Sequence, residues 1–354
     1  MNQNKVGIVT LPGRYNYGNR LQNYATTVIY SRLGFQPQTL QMPKRANVAR
    51  DAKRLVKRLL GRIPQDPEAL MTPGRMEAFD RFDSLIPSIV IDSFGDPSLS
   101  SFDYYSVGSD QVWNPNLIRY NEDWYYLEFA QPDRRIALAP SIGVDELDPR
   151  SVSRFKRGVA GFQKLSVREK RGAEMIKRHC GLEATVICDP TLVLSADDWR
   201  GVADSRMTPT DAYVFTYLLG GLNEESAEVV DRASRHGALP VIALSDRQRP
   251  GEPDAGPSEF VSLIDNASHV ITDSFHAAVF SAILETPLTI VRRQGGSNMF
   301  GRLETLAQML GIEGKVYGSS SYDPTLSGEY AGVLPAIVRE RDGFLAYLRG
   351  CLNV

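Results

Sequence analysis

The sequence predicts an α/β protein made of two Rossmann-like domains that face each other across a cleft. Three observations carry this expectation. Short apolar runs of strand length alternate with longer segments of helical period, which implies parallel sheets with helices on both faces. The alternation runs as far as "CDPTLVLSADDW" (188–199) and then starts again. A chain of 354 residues is long for one core and comfortable for two domains of ordinary size.

Residues 6–11 form the first predicted strand, and 19–33 a helix with Leu21, Tyr24, Ala25, Val28 and Ile29 on one face. Residues 38–42 read as a short strand, and 104–107, 125–129 and 136–139 as further strands. The runs at 165–167 and 185–187 flank a helix that starts near Glu169. Segment 64–97, rich in proline and glycine, reads as an irregular insertion in the first domain. In the second half, strands at 212–219 and 240–244 enclose a helix at 224–236, and a helix at 258–266 follows. The stretch "HVITDSFHAAVFSAILETPLTIV" (269–291) then supplies a buried strand, an apolar helix at 277–284 and another strand. The expected division is 1–194 and 195–354.

A hydrophobic content of 42% and a charged content of 23% are those of a soluble globular protein. The net charge of -2 gives no global pull towards nucleic acid or membrane, so no nucleic-acid partner is expected. Three cysteines, Cys180, Cys188 and Cys351, fit neither a disulfide framework nor a zinc site. The amino-terminal apolar run is too short for a signal peptide, and no segment approaches the roughly 20 apolar residues of a spanning helix. A cytoplasmic protein is expected. One segment stands apart: "KRANVARDAKRLVKRLLGR" (44–62), whose eight positive charges less Asp51 leave +7 beside an apolar stripe at helical spacing. Either it packs that stripe on the sheet, or it lies on an anionic surface such as the inner face of a membrane.

In open α/β sheets ligands bind beyond the carboxyl ends of the strands. Three loops at such ends carry more polarity than a turn requires: "PGRYNYGNRLQ" (12–22), "GSDQVWNP" (108–115) and "TDSFH" (272–276). The helix that opens after Asp273 or Ser274 points free N–H groups and its positive end at the cleft, a ready anion site. His276 falls in its first turn. The plainer reading has Asp273 as an N-cap and His276 as a satisfied, half-buried side chain. Likewise "GSDQVWNP" reads either as a functional loop or as an Asx turn with Trp113 in the core. Arg168, at the end of a strand, suits phosphate or carboxylate in fork geometry, or a surface acid such as Glu169. No dinucleotide fingerprint, P-loop or metal-ligand cluster appears in the sequence.

Taken together, "YGNRLQNYA" (17–25), "VGSDQVWNP" (107–115), "SVREKRG" (166–172), "CDPTLVL" (188–194), "TDSFHAAVFS" (272–281) and "GRLETLAQMLGI" (301–312) resemble the polysaccharide pyruvyl transferase family. The resemblance implies a GT-B-like fold with the acceptor side in the first domain and the donor side in the second. It implies transfer of the enolpyruvyl unit of phosphoenolpyruvate to a saccharide, often lipid-linked, without a metal or other cofactor. His276 then matches the family's donor-site histidine and is the expected acid/base, with Asp110 as the base on the acceptor hydroxyl. Many members carry an arginine where this chain has Ser274. Arg168, Arg292, Arg293 and Arg302 are the candidates to replace it. Arg168, Asp273, Ser274, Arg293 and Arg302 are thus expected at the donor, and Asn19, Gln22, Ser109, Gln111 and Trp113 at the acceptor. A GT-B glycosyltransferase using a nucleotide sugar, and a non-catalytic saccharide- or phosphate-binding protein, are the other readings.

Overall fold

The computed structural model describes residues 3–42, 71–118, 121–293 and 300–354. Among the described residues, eleven strands form three parallel sheets. In the first, β1 (Lys5–Val9), β2 (Gln36–Gln41), β3 (Ser88–Val90), β4 (Tyr104–Val107) and β5 (Arg135–Ala137) lie in the order β3-β2-β1-β4-β5. Strands β6 (Ser166–Val167) and β7 (Thr185–Val186) form a parallel pair. In the third sheet, β8 (Val214–Tyr217), β9 (Val241–Leu244), β10 (His269–Thr272) and β11 (Leu288–Ile290) take the order β11-β10-β8-β9. The strand order therefore reverses between β1 and β4, and again between β8 and β10. Such a switch point opens a crevice at the carboxyl ends of the strands.

The longer helices are α1 (Tyr17–Arg32), α2 (Pro73–Asp83), α3 (Pro149–Val159), α4 (Lys170–Cys180), α5 (Glu224–Ala233), α6 (Pro257–Asp265), α7 (Phe275–Leu284), α8 (Phe300–Leu310) and α9 (Val333–Leu352). Helix α1 starts where the Asn16 side chain accepts from the Asn19 N–H, satisfying one of the orphan donors of its first turn. Helix α7 reads Phe-His-Ala-Ala-Val-Phe-Ser-Ala-Ile-Leu and is buried along its whole length, as expected of a helix that is apolar all round. One apolar core runs through both halves, from Val6, Tyr17 and Leu21 to Phe215, Phe260 and Phe280. Tyr17 stacks on Phe260 with centroids 4.8 Å apart, and its hydroxyl donates to Ala255 O at 2.7 Å. Such a pair adds about 0.5–1.5 kcal/mol beyond its area burial, and it fixes the amino end of α1 against the second half.

Two expectations fail. The described part of the supposed irregular insertion holds α2 and the edge strand β3. Thr72 caps α2 and Pro73 opens it, so the proline read as a sign of irregularity is a helix start. Arg75 of α2 is fully buried and donates to Ser245 O at 3.0 Å, to Glu252 at 3.1 Å and to Pro253 O at 3.0 Å. Asp83, at the other end of the helix, lies 3.6 Å from Arg20 of α1. Residues 125–129 are not a strand: a short helix Glu122–Tyr125 leads into a turn with Leu127 at φ 53. Their apolar run is buried, and a short apolar run does not distinguish strand from buried turn. Helix α9 returns to the first sheet, where the Tyr347 hydroxyl donates to Ala137 O at 2.9 Å. The basic stretch 44–62 lies outside the described residues. Among the described residues no helix is long and apolar enough to cross a membrane.

Candidate active site

The site assembles where α7, α1 and the loops after β4 and β6 meet. Ser274 is the N-cap residue of α7, with φ -100 and ψ 132, and its side chain makes no capping bond. The first-turn amides of α7 thus keep their donors, and the positive helix end is uncompensated by an acid in that turn. Asp273, the expected cap, is engaged elsewhere. Its carboxylate accepts from Leu219 N at 2.7 Å, Gly220 N at 2.8 Å and Arg293 Nε at 3.1 Å, and so holds the loop after β8.

His276, 8% exposed, lies between two surfaces. On one side its ring rests on Gly18 in the first turn of α1, where a Cβ would collide with Nδ1, Cε1 and Cγ. On the other, Nε2 is buried without a hydrogen-bond partner among the described residues and stands 3.8 Å from Asp189 Oδ2.

Asp189 is the hub. It caps the 3-10 turn Pro190–Leu192, with Oδ1 accepting from Thr191 N at 3.0 Å and Thr191 Oγ1 at 2.8 Å. Its Oδ2 accepts from Ser109 Oγ at 2.9 Å and Arg168 Nη1 at 2.7 Å. Burial pushes this carboxyl up, but the proximity of the His276 ring and the charge and hydrogen bond of Arg168 outweigh it and hold Asp189 well below the usual carboxylate range. The Arg168 guanidinium is 2% exposed, reaches Asp110 Oδ1 through Nη2 at 3.4 Å, and lies 4.5 Å from the Phe275 ring centroid. Burial works against the charge of Arg168, yet Asp189 and Asp110 raise its affinity for the proton. Arg302 Nη1 stands 4.0 Å from Asp110. Burial, with the nearby Arg168 charge, lowers Arg302 to about 10, so it stays a cation at neutral pH.

Asp110 takes up the left-handed region at φ 61, which Asp tolerates better than most side chains. Gly108 before it has φ 123, and a Cβ there would strike the Leu138 carbonyl. The loop is tied to α1 because Ser109 N donates to Gln22 Oε1 at 2.9 Å.

Of the residues expected from sequence, His276, Asp110, Ser109, Arg168 and Arg302 are brought together around Asp189. Asp273, Ser274 and Arg293 line the edge next to them. Asn19 and Gln22 are buried beneath the first loop: Asn19 Oδ1 accepts from Arg20, and Gln22 Nε2 donates to Thr10 at 2.8 Å. Gln111 is half-buried and accepts from Asn114 at 2.8 Å. Trp113 is fully buried in the outer core of the first sheet, and its indole N–H donates to Tyr125 O at 3.1 Å, so it offers no face to the cleft. Asp189 escaped the sequence reading as a site residue, and Glu169, expected as a surface acid for Arg168, is instead buried while Arg168 pairs with Asp189 and Asp110. Asp189 stands in a motif that was singled out, and Asp-Pro-Thr is a legible turn cap. Glu169 Oε1 accepts from Ser141 Oγ at 3.1 Å and Ile142 N at 2.8 Å, which shapes the neighbouring loop.

The Gly18 contact gives a direct test. Gly18→Ala is favourable for a helix but must displace the imidazole. A misplacement of about 1 Å at a reacting group costs roughly 100-fold in rate. We expect unchanged helix content by circular dichroism with turnover reduced on that scale; full activity would show that the His276 position tolerates movement.

Two parallel sheets whose switch points meet at a buried His–Asp–Arg cluster define a GT-B-like α/β protein. The fold is similar to that of UDP-N-acetylglucosamine 2-epimerase from Rickettsia bellii, with 10% identity over 99% of this chain and 97% of that one and a TM-score of 0.50. A Listeria monocytogenes protein assigned the same activity gives 10% identity, 99% and 96% coverage, and a TM-score of 0.51. At this identity the likeness is one of fold. No curated protein sequence matches the chain. The family model of polysaccharide pyruvyl transferase matches residues 16–294, and the chain belongs to that family. The matched span takes in Gly18, Asp110, Arg168, Asp189 and His276, while Arg302 lies beyond it.

Proposed function

We propose that the chain transfers the enolpyruvyl unit of phosphoenolpyruvate to two hydroxyls of a saccharide, releasing phosphate and forming a cyclic ketal. The observation that supports this reading best is the His276 imidazole at the uncapped N-terminus of α7, with Nε2 facing the ionised Asp189. His276 delivers a proton to C3 of the enol, and C2 becomes electrophilic. A sugar hydroxyl adds to C2 and gives its proton to Asp110. The second hydroxyl then displaces phosphate from C2, losing its proton to the base that His276 has become. An acid/base at each step contributes about 100- to 10,000-fold.

The donor's carboxylate and phosphate fall to the first-turn amides of α7 and to Arg302. Arg168 acts one step back: its fork is engaged by Asp189 and Asp110 and sets both carboxylates. Ser109 Oγ donates to the same Asp189 oxygen, Oδ2, that Arg168 holds.

Two measurements test this. Phosphoenolpyruvate should raise the melting temperature of the protein; no shift at millimolar donor would overturn the reading. Asp110→Asn, nearly isosteric, should bind phosphoenolpyruvate normally while transfer drops by about 100-fold or more. Lost donor binding in that variant would instead place Asp110 on the donor.

A further inference from the structure

His276 stands on α7 in the second half of the chain and Asp110 in the first, so their register depends on how the halves are held. Contacts between two halves of a chain usually resemble transient interfaces, and relative motion is the default. Here α2 of the first half docks on the loop 245–256 that follows β9 of the second. Thr72, the N-cap of α2, gives its N–H to Gln248 Oε1 at 2.9 Å and its hydroxyl to Asp254. Next along the helix, the fully buried Arg75 donates to Ser245 O and Pro253 O, both at 3.0 Å, and to Glu252 at 3.1 Å. A buried guanidinium is stable only where its donors are matched, and these acceptors lie at both ends of one loop. Further on, Arg81 reaches Glu259 at 2.9 Å, and the other oxygen of that carboxylate accepts from Gly256 N at 2.9 Å. Gly256 lies so close to α2 that a Cβ there would stand 2.6 Å from the Ala78 carbonyl carbon.

The gripped loop reaches the site through Tyr17. Ala255 O accepts from the Tyr17 hydroxyl at 2.7 Å, and Tyr17 is the first residue of α1. The next residue, Gly18, is the surface on which the His276 ring rests. In the other direction α9 of the second half returns to the first sheet, where Tyr347 donates to Ala137 O at the end of β5. Each half therefore grips the other at a separate place. A hinge rotation that opened the cleft on the α2 side would have to break the Arg75 bonds.

We propose that α2 locks the two halves in their working arrangement, with Arg75 as the positioning residue of the lock, and that turnover needs no opening between them. The lock does not rest on the pyruvyl transfer reading; its effect on turnover does. In that reading the groups that hold the donor, the first-turn amides of α7 and Arg302, belong to the second half, whereas Asp110 belongs to the first. Loosening the lock should therefore cost transfer and spare donor binding.

Two variants of the full chain test this. Arg75→Met/Glu252→Gln removes both charges of the buried pair together, so neither is left alone. Trypsin should then cut after Arg247 or Arg249, which are exposed on the gripped loop, about tenfold faster or more than in wild type. Helix content should be unchanged, and kcat should fall by roughly 100-fold, the scale of about 1 Å of misplacement. The dissociation constant of phosphoenolpyruvate should stay the same. The second variant is Gly74→Cys/Asp254→Cys, because a Cβ on Gly74 would stand 3.2 Å from Asp254 Cβ, close to disulfide geometry. Oxidised, it should turn over as fast as wild type given the same oxidant, and the same pair added to the first variant should restore its kcat. Turnover lost on oxidation and recovered with reductant would show that the halves must part, and would overturn the proposal. Wild-type kcat and trypsin resistance in Arg75→Met/Glu252→Gln would do the same; should that variant not fold, the disulfide alone decides. If wild type neither binds phosphoenolpyruvate nor transfers it, the pyruvyl transfer reading fails, and the trypsin rates still decide the lock.

Discussion

His276→Ala is expected to lower turnover by about 100-fold or more, the scale of a lost general acid/base. Donor affinity should fall much less, because the first-turn amides of α7 belong to the backbone and survive the substitution. The expected signature is therefore a loss in kcat that exceeds the loss in phosphoenolpyruvate binding, the pattern of an interaction made mainly in the transition state. Alanine is also a better helix former than histidine, so the start of α7 should persist. A melting temperature close to wild type with strongly reduced kcat would support the assignment. Near-normal turnover with phosphoenolpyruvate and a saccharide acceptor would remove His276 from the chemistry.

How far the sequence could be read depended on the range of the signal. Strand-then-helix alternation is local, and it placed β1, α1, β4, β8, β10 and α7 close to where they lie. The polar loops at 108–115 and 272–276 were legible because each exceeds what a turn needs. Helix α2 was hidden by its own start signal, since Pro73 and Gly74 read as loop residues until Thr72 is seen capping them. Trp113 sits in a loop otherwise rich in site residues, and only tertiary packing against Tyr126 and Phe162 turns it away from the cleft. Asp189 lies 21 positions from Arg168 in the chain, and nothing local reveals that the Arg168 guanidinium and the Ser109 hydroxyl converge on its carboxylate. The cap at α7 shows the same limit at short range. Asp273 and Ser274 are both good cap types, and the competing bonds from Leu219, Gly220 and Arg293 draw Asp273 away.

Asp189→Asn should be the most damaging near-isosteric change in the protein. The carboxylate is fully buried and accepts four hydrogen bonds, from Thr191 N, Thr191 Oγ1, Ser109 Oγ and Arg168 Nη1. Asparagine can keep the Thr191 cap through its carbonyl, but its amide turns a donor towards Ser109 and Arg168. Arg168 would then hold a buried charge with Asp110 at 3.4 Å as its nearest counter-ion. Removing one partner of a buried ion pair costs about 3–5 kcal/mol, a large share of the roughly 5–15 kcal/mol that keeps a domain folded. Acid provides an independent check. The folded state holds the Asp189 carboxyl well below its usual range, whereas in the unfolded chain it should titrate near ~3.9. Its contribution is therefore fully present above that unfolded value and is lost as pH falls below it. Wild-type melting temperature should decline on acidification below about pH 5. The Asp189→Asn protein, less stable at neutral pH, should lose less over the same range because it has no carboxylate to protonate. Melting curves collected from neutral pH down to the acid limit decide the matter. If the two proteins decline in parallel, the hub is some other carboxylate, and Asp110 becomes the group to test.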